Sequence, residues 1–461
     1  MIYFILFTVV FLLRLILKLN WILTIILLGL AFLLWPVHNK MRKKQKENEK
    51  RFLEAALYLD ILLYAFLKEE KVEGALKDAV MTLPEGRMKS VAKESLYLLQ
   101  MDYEDTNLME ESLERIEKEF PCKRIHDAHK FMVHVEYYGG EIERPVKLLL
   151  EDKRRWEERI KHMIAERKKK MTEILLSVVV SIIICGVILY LPVLNVDISN
   201  NWVIQIFSLV VLLVDDLVIL RGQKFLTVDW LNLQLIEDEA YYCKKMNAYK
   251  NFDEEKEKRL SLVLGSVVLA GSIGCFVFGR EWYCAIGLLL SVFFFLQHKV
   301  GKGLLRRRII KEVKYAFPNW LLDLVLLLQS ENVHMALQKS REHVPGILKE
   351  ELLLLVERLE MEPESSEPYH LFLKDFSLPE VHSAMSGLYG ISIGNTHHGD
   401  RQMSELIEKN MELLDREERQ RMSDAGSGMY LLFIAPVMTA SFKLVVDMAL
   451  LMITFIHTPM L

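Results

Sequence analysis

Apolar and polar residues follow one another along this chain in long blocks. Apolar runs cover Ile2 to Leu17 with Arg14 inside, Trp21 to Val37, Ile174 to Val193, Trp202 to Leu220, Leu260 to Phe278, Trp282 to Leu296 and Met429 to Ile456. A helix rising ~1.5 Å per residue needs about 20 residues to cover a ~30 Å hydrocarbon layer, so these runs predict about seven transmembrane helices. The first two, separated only by Lys18-Leu19-Asn20, read as an uncleaved hairpin: no small-residue cleavage site follows, and the second leads into Asn39-Lys40-Met41-Arg42-Lys43-Lys44. The last run is too short to cross twice and predicts one helix, kinked at Pro436.

Two polar blocks, 40–171 and 298–427, carry apolar residues at three- and four-residue spacing. Phe52, Ala55, Ala56, Leu59, Leu62 and Leu63 mark the first, and Phe317, Leu321, Leu324, Leu327 and Leu328 the second. That period predicts amphipathic helices, with breaks at Leu83-Pro84-Glu85-Gly86 and Val344-Pro345-Gly346 and no useful strand-like alternation. The expected fold is an all-α polytopic membrane protein, two repeated helical-bundle domains joined to about seven transmembrane helices. Its segments are an N-terminal hairpin (1–38), a first helical domain (39–171), a hairpin (172–221), a helical connector (222–259), a hairpin (260–297), a second helical domain (298–428) and a C-terminal transmembrane helix (429–461).

Composition agrees with this segregation: of 461 residues 52% are hydrophobic and 26% charged, with a mean hydropathy of +0.18. A formal net charge of −4 offers no basic face for nucleic acid. Position matters more. The flanks at 40–51, 153–170 and 299–311 are rich in Lys and Arg, among them Lys168, Lys169, Lys170, Arg306, Arg307 and Arg308, whereas Leu194 to Asn201 has none and Gly279 to Glu281 only Arg280. The positive-inside rule therefore places both domains and the connector in the cytoplasm, the chain in a cytoplasmic or inner cell membrane, and almost nothing outside to bind an extracellular ligand. Trp21, Trp202, Trp282 and Tyr283 are expected as interfacial anchors, and the basic flanks as topology determinants touching anionic lipid.

Signals for chemistry are sparse. Val300-Gly301-Lys302-Gly303 lacks the leading Gly and the Ser/Thr of a phosphate loop, and no dinucleotide fingerprint, nucleophile elbow or zinc-protease helix occurs. No catalytic residue, cofactor or metal is expected. Cysteines 122, 185, 243, 275 and 284 have neither zinc nor disulfide-scaffold spacing and read as unpaired packing residues. His126 and His129 share a helix face, but His134 lies two turns away, which favours surface or packing histidines over a metal site; His397 and His398 sit adjacent in a turn and diverge. Asp215 and Asp216 fall inside an apolar run and are functional candidates by default, against the alternative that Arg221 or Lys224 neutralises them at the bilayer edge. Lys443 and Asp447, four residues apart, are expected to pair with each other.

The two polar blocks share an order of features. Leu59-Asp60-Ile61-Leu62-Leu63, Val72-x-x-Ala75-Leu76 and Pro84 in the first match Leu322-Asp323-Leu324-Val325-Leu326, Val333-x-x-Ala336-Leu337 and Pro345 in the second, with seven residues before each Pro. Gly139-Gly140 then corresponds to Gly394, and Glu157-Glu158-Arg159 to Glu417-Glu418-Arg419, each followed by an apolar run. This pattern resembles the type II secretion system F domain, found in the platform proteins of type II secretion, type IV pili, Tad/Flp pili and the archaeal flagellum. The resemblance covers roughly 40–195 and 300–457 and is closest to the two small Tad/Flp platform proteins joined in one chain. The acidic 100–118 segment and the loop Glu362 to Pro368 depart from the pattern. The resemblance implies a non-enzymatic platform whose domains engage a hexameric secretion ATPase and whose spans accept prepilins or pilins, with a second platform protein or self-association as further partners. The partner-binding candidates it carries over are Asp60, Val72, Ala75, Gly139 and Gly140 in the first copy and Asp323, Val333, Ala336 and Gly394 in the second. A helix continuous from Glu151 through Ser177 would transmit rotation or tilt. The competing reading is an ion-coupled transporter or channel using Asp215 and Asp216, against which stand the large charged domains and the lack of matched broken helices.

Overall fold

A computed structural model describes the chain except for residues 1, 101–105, 141, 191–200, 232–245, 247–248, 250–253, 278–280, 329–330, 342–343, 394–395, 427 and 458–461. Every regular element among the described residues is helical. The chain divides into two compact units, one of Met1–Tyr138, Val146–Gln234 and Arg419–Leu461, the other of Gly139–Pro145 and Leu235–Glu418.

In the first unit α1 (Ile2–Leu17) and α2 (Trp21–Glu69) form the expected hairpin. Arg14 closes it: its Nε donates to the Leu19 carbonyl at 3.3 Å and its guanidinium lies 3.4 Å from the Trp21 ring centroid. Then come α3 (Val72–Thr82), α4 (Arg87–Leu99), α5 (Thr106–Glu119), α6 (Lys123–Tyr138), α7 (Glu143–Tyr190) and α8 (Trp202–Leu226), with α16 (Gly428–His457) returning at the end of the chain. Among the described residues four helices, α2, α7, α8 and α16, are long and apolar enough to cross a membrane; Leu6–Leu17 of α1 and Gly287–Leu296 are shorter apolar stretches. Outward-facing Ile25, Leu33, Leu176, Leu217, Leu431 and Phe442 leave an apolar band uncovered by protein, the surface expected where lipid is the solvent.

The boundaries drawn at 38, 171 and 297 are not breaks in the backbone. Each falls inside one helix, respectively α2 of 49 residues, α7 of 48 residues and α10 (Glu281–Leu327) of 47 residues. The reason is local. Composition switches there from aliphatic to Lys, Arg, Glu and Gln, but helix propensity does not, and α2 runs on through Pro36 as α10 does through Gly301 and Gly303. The connector expected at 222–259 begins as the last turn of α8, and 227–231 are non-helical.

Short helices of the first polar domain take their caps from distant side chains. A Glu136 oxygen accepts the Val72 N–H at 2.7 Å and starts α3, while a Glu54 oxygen accepts the Met88 N–H at 3.0 Å and starts α4. Carboxylates are favoured there because the first amides of a helix point outward unpaired. Gly86 lies so close to Glu54 that a Cβ would collide with the carboxylate.

The second unit holds α9 (Glu254–Val277) packed along α10, then α11 (Val333–Ser340), α12 (Gly346–Met361), α13 (Glu367–Leu371), a single 3₁₀ turn (Lys374–Phe376), α14 (Pro379–Ile393) and most of α15 (Thr396–Gly426). Asn332 starts α11 by accepting the Met335 N–H at 2.9 Å. Phe317, Trp320 and Phe372 form an aromatic cluster, and the Trp320 indole N–H donates to Ser340 Oγ at 3.2 Å. Pro318 sits within α10, and the buried Asn410 amide donates to its carbonyl at 3.0 Å.

Candidate functional site

The first polar domain is built around one face of α7. Phe52 of α2 meets Trp156 edge to face at 4.9 Å, and Arg124 of α6 grips Asp152 through Nε at 2.6 Å and Nη2 at 3.2 Å, with its guanidinium 5.2 Å from the Trp156 ring centroid. Beside them runs a polar chain. Tyr58 Oη donates to His129 Nε2 at 2.9 Å, and His129 Nδ1 and His126 Nδ1 both donate to Glu117, at 2.8 and 2.7 Å. Burial pushes the Glu117 carboxyl up, but the two imidazoles outweigh it and hold the group at about 2. Burial depresses His129, Glu117 raises the more open His126, and burial raises the Tyr58 hydroxyl. Both histidines are held by hydrogen bonds to Glu117, and among the described residues no group of three His, Cys, Asp or Glu could hold a metal ion.

The partner-binding candidates divide sharply. Val72 and Ala75 are fully buried in α3, and Val333 and Ala336 are buried in α11. Residues three apart lie on one helix face, so the shared Val-x-x-Ala-Leu signature is a packing stripe rather than a docking surface. Asp60 is partly open but ion-paired with Lys153, whose ammonium also meets Glu157. It lines a shallow recess of about 360 Å³ with Tyr64, Lys68, Asp78 and Thr82, and Tyr64 is 62% exposed there. Asp323 is half-buried. Gly139 and Gly140 end α6 with φ of +69° and +140°, a backbone conformation that requires glycine; Gly394 lies outside the described residues.

The basic flanks are partly engaged. Lys168 pairs with Glu49 of α2 at 2.8 Å, the Lys170 ammonium lies 4.2 Å from the Tyr430 ring centroid on α16, and Lys169 is exposed. Buried Arg167 donates to the Phe225 carbonyl at 2.7 Å and stacks on Trp230. Across from it, the Asn48 amide donates to the carbonyls of Thr227 at 3.1 Å and Val228 at 3.0 Å. Arg306 reaches the carbonyls of Asp375 and Phe376, while Arg307 and Arg308 are exposed. Trp21 and Trp202 are exposed, as anchors would be.

Among the apolar helices α7, α8 and α16 meet around Cys185, Val211, Leu212 and Ala440. Polar groups are buried in the adjoining turns. Lys443 and Asp447 pair with each other at zero exposure, as their spacing predicted. Asp215 accepts from Ser181 Oγ at 3.2 Å, and Asp216 meets His38 Nε2 at 3.2 Å, with Gln223 on the other imidazole nitrogen at 2.9 Å. The neutralising partners considered in sequence, Arg221 and Lys224, are replaced by Ser181 and His38, because helix geometry turns α8's acids toward α7 and α2. Sequence reasoning passed over Ser181 and read Cys185 only as a packing residue, although Ser177, Ser181 and Cys185 at four-residue spacing mark one face of α7. It also passed over His38, hidden at the start of the basic flank.

No family model, no curated protein and no solved structure matches this chain.

Proposed function

We propose that the chain is a non-enzymatic platform for assembling a type IV-like pilus of the Tad/Flp kind or a secretion pseudopilus, with both polar domains in the cytoplasm. The observation that carries this reading is α7: one helix of 48 residues runs from the polar domain into the apolar bundle. Its polar half is locked to α6 and α2 through Asp152, Trp156 and Lys153, and its apolar half packs on α8 and α16. A helix held at both ends is a rigid lever, so force applied to the domain by a hexameric secretion ATPase reaches the helices that would receive a prepilin. The matching burial of Val72, Ala75 and Leu76 and of Val333, Ala336 and Leu337 supports reading the two domains as copies. Basic flanks beside the apolar helices support the cytoplasmic orientation.

The test is co-purification of the detergent-solubilised full chain from its native cells, with a secretion ATPase and prepilins sought by mass spectrometry. Charge reversal at Asp60 would set a second cation against buried Lys153, so the informative surface variant is Tyr64→Asp, in the recess next to Asp60. The reading expects ATPase and prepilins to be recovered with the parent chain and the ATPase to be lost with a well-folded Tyr64→Asp. Recovery of neither with the intact chain overturns it.

A further inference from the structure

We propose that the outward face of α2 in the first polar domain docks an amphipathic helix of a partner protein, acidic at the end toward the membrane, apolar in its middle and carrying an arginine that enters the recess beside Tyr64. The inference deepens the platform reading, from which it takes only that this domain faces water.

Beyond Arg51, α2 is apolar on two sides. Phe52, Ala55, Ala56, Leu59, Leu62 and Leu63 face the domain core and are no more than 2% exposed, whereas Leu53, Leu57 and Tyr64 on the opposite side are 51%, 39% and 62% exposed. In water a helix with a second apolar face meets another protein there. Arg42, Lys46 and Lys50, all exposed, continue the same row toward the membrane at three- and four-residue spacing. From Lys46 to Tyr64 the row runs about 27 Å, or about five helical turns.

The far end of the row has the opposite charge. Asp60 and Asp78 line the recess with Tyr64 and Lys68. Lys68 lies 3.9 Å from Glu69, outside the recess, and Lys153, the counter-ion of Asp60, is shared with Glu157. Carboxylate charge therefore remains beside an open tyrosine ring. A guanidinium suits both, since it stacks on the ring and donates to carboxylates from one planar fork. Charge order then fixes the direction. With acids in its first turns opposite Lys46 and Lys50 and the arginine in its last turn, the docked helix runs parallel to α2, and its own dipole favours the same distribution. The α2 of a second copy does not fit. A two-fold axis along the membrane normal would set Lys46 and Lys50 against themselves, and antiparallel pairing is closed to a helix that enters from the same membrane.

The probe is a fluorescein-labelled, alanine-based peptide of about 20 residues, with glutamates in its first two turns, leucines at three- and four-residue spacing through its middle and one arginine in its last turn. Fluorescence anisotropy follows its binding to the full chain in phosphatidylcholine nanodiscs, with empty nanodiscs as the blank. Saturable binding is expected, at least about tenfold weaker to Leu57→Asp and to Tyr64→Asp, both exposed positions whose unchanged melting temperature shows that the fold is kept. Citrulline in place of the arginine keeps the shape, loses the charge and is expected to weaken binding by about tenfold. Lys46→Glu is expected to weaken binding of the glutamate peptide and to regain it with lysines in place of those glutamates. No saturable binding by the parent, equal binding by the parent and both apolar-face variants, or equal binding of the arginine and citrulline peptides each overturns the proposal. So does a disulfide-linked dimer of Tyr64→Cys that Leu57→Asp prevents, which would assign the face to a second copy. Failure of ATPase capture with peptide binding intact sinks the platform reading alone, and the converse sinks this one alone.

Discussion

Replacing Asp152 with Ala is expected to destabilise the first unit by about 3–5 kcal/mol, the usual cost of removing one member of a buried ion pair. The magnitude follows from the geometry. The side chains of Arg124 and Asp152 are only 10% and 4% exposed, and the pair is bidentate at 2.6 and 3.2 Å. Without the carboxylate the guanidinium stays desolvated, and its stacking on Trp156, about 0.5–2 kcal/mol, offsets only part of that cost. The double variant Arg124→Met, Asp152→Leu removes both charges and fills the space with apolar atoms, so it should lie within about 1 kcal/mol of the parent. Urea unfolding of the full chain in detergent, followed by tryptophan fluorescence, measures both. Because the pair fastens α7 to α6, the single variant should also lower filament assembly under the platform reading. A loss below about 1 kcal/mol for Asp152→Ala, or a double variant as unstable as the single, would refute the claim that this pair is a desolvated anchor.

Three further outcomes follow from the same contacts. Glu117, held at about 2 against an unfolded value of about 4.3, contributes stability that is complete above the unfolded value and lost as pH falls toward the folded one; His129, depressed by burial, loses stability below about 6.5 as the unfolded chain takes up a proton. His126 acts oppositely, contributing below about 6.5 and losing that contribution as pH rises through its raised value, so Glu117→Gln should flatten the acid limb of a melting-temperature profile and also abolish the His126 effect at higher pH. Gly186→Leu should cost about 1–3 kcal/mol, because a Cβ there lies 2.7 Å from Ile16 Cγ2 and 3.1 Å from the Ile16 carbonyl oxygen and would push α1 off α7; thermal stability in detergent reads the loss. Asn48→Ala leaves the Thr227 and Val228 carbonyls without its amide, and limited proteolysis should cut at 227–231 faster than in the parent, with no change at the α3–α4 turn.

Much of the helical content was legible because it rests on local spacing. The break at Leu83 to Gly86, the single C-terminal helix, the helix through Glu151 to Ser177 and the Lys443–Asp447 pair each follow from residues within a few turns of one another. The packing role of Val72 and Ala75 was not separable from a docking role in the sequence, since an apolar stripe looks the same whether it meets its own domain or a partner. Hydropathy changes at 38, 171 and 297, but the hydrogen-bonded helix ladder does not respond to hydropathy, so α2, α7 and α10 run unbroken through these positions.

What the sequence determined, then, is which segments are helices and which of them are apolar, because a 3.6-residue period and backbone hydrogen bonding depend only on near neighbours. Tertiary structure alone decided that α16, at the far end of the chain, packs on α7 and α8, that Asp215 turns to Ser181, and that Asp216 finds His38 178 residues away. An apolar helix presents nearly the same chemistry on every face, and burial against lipid or against another helix differs little in free energy. Which faces meet is therefore set by small residues such as Gly186 and by the few polar groups that must find each other.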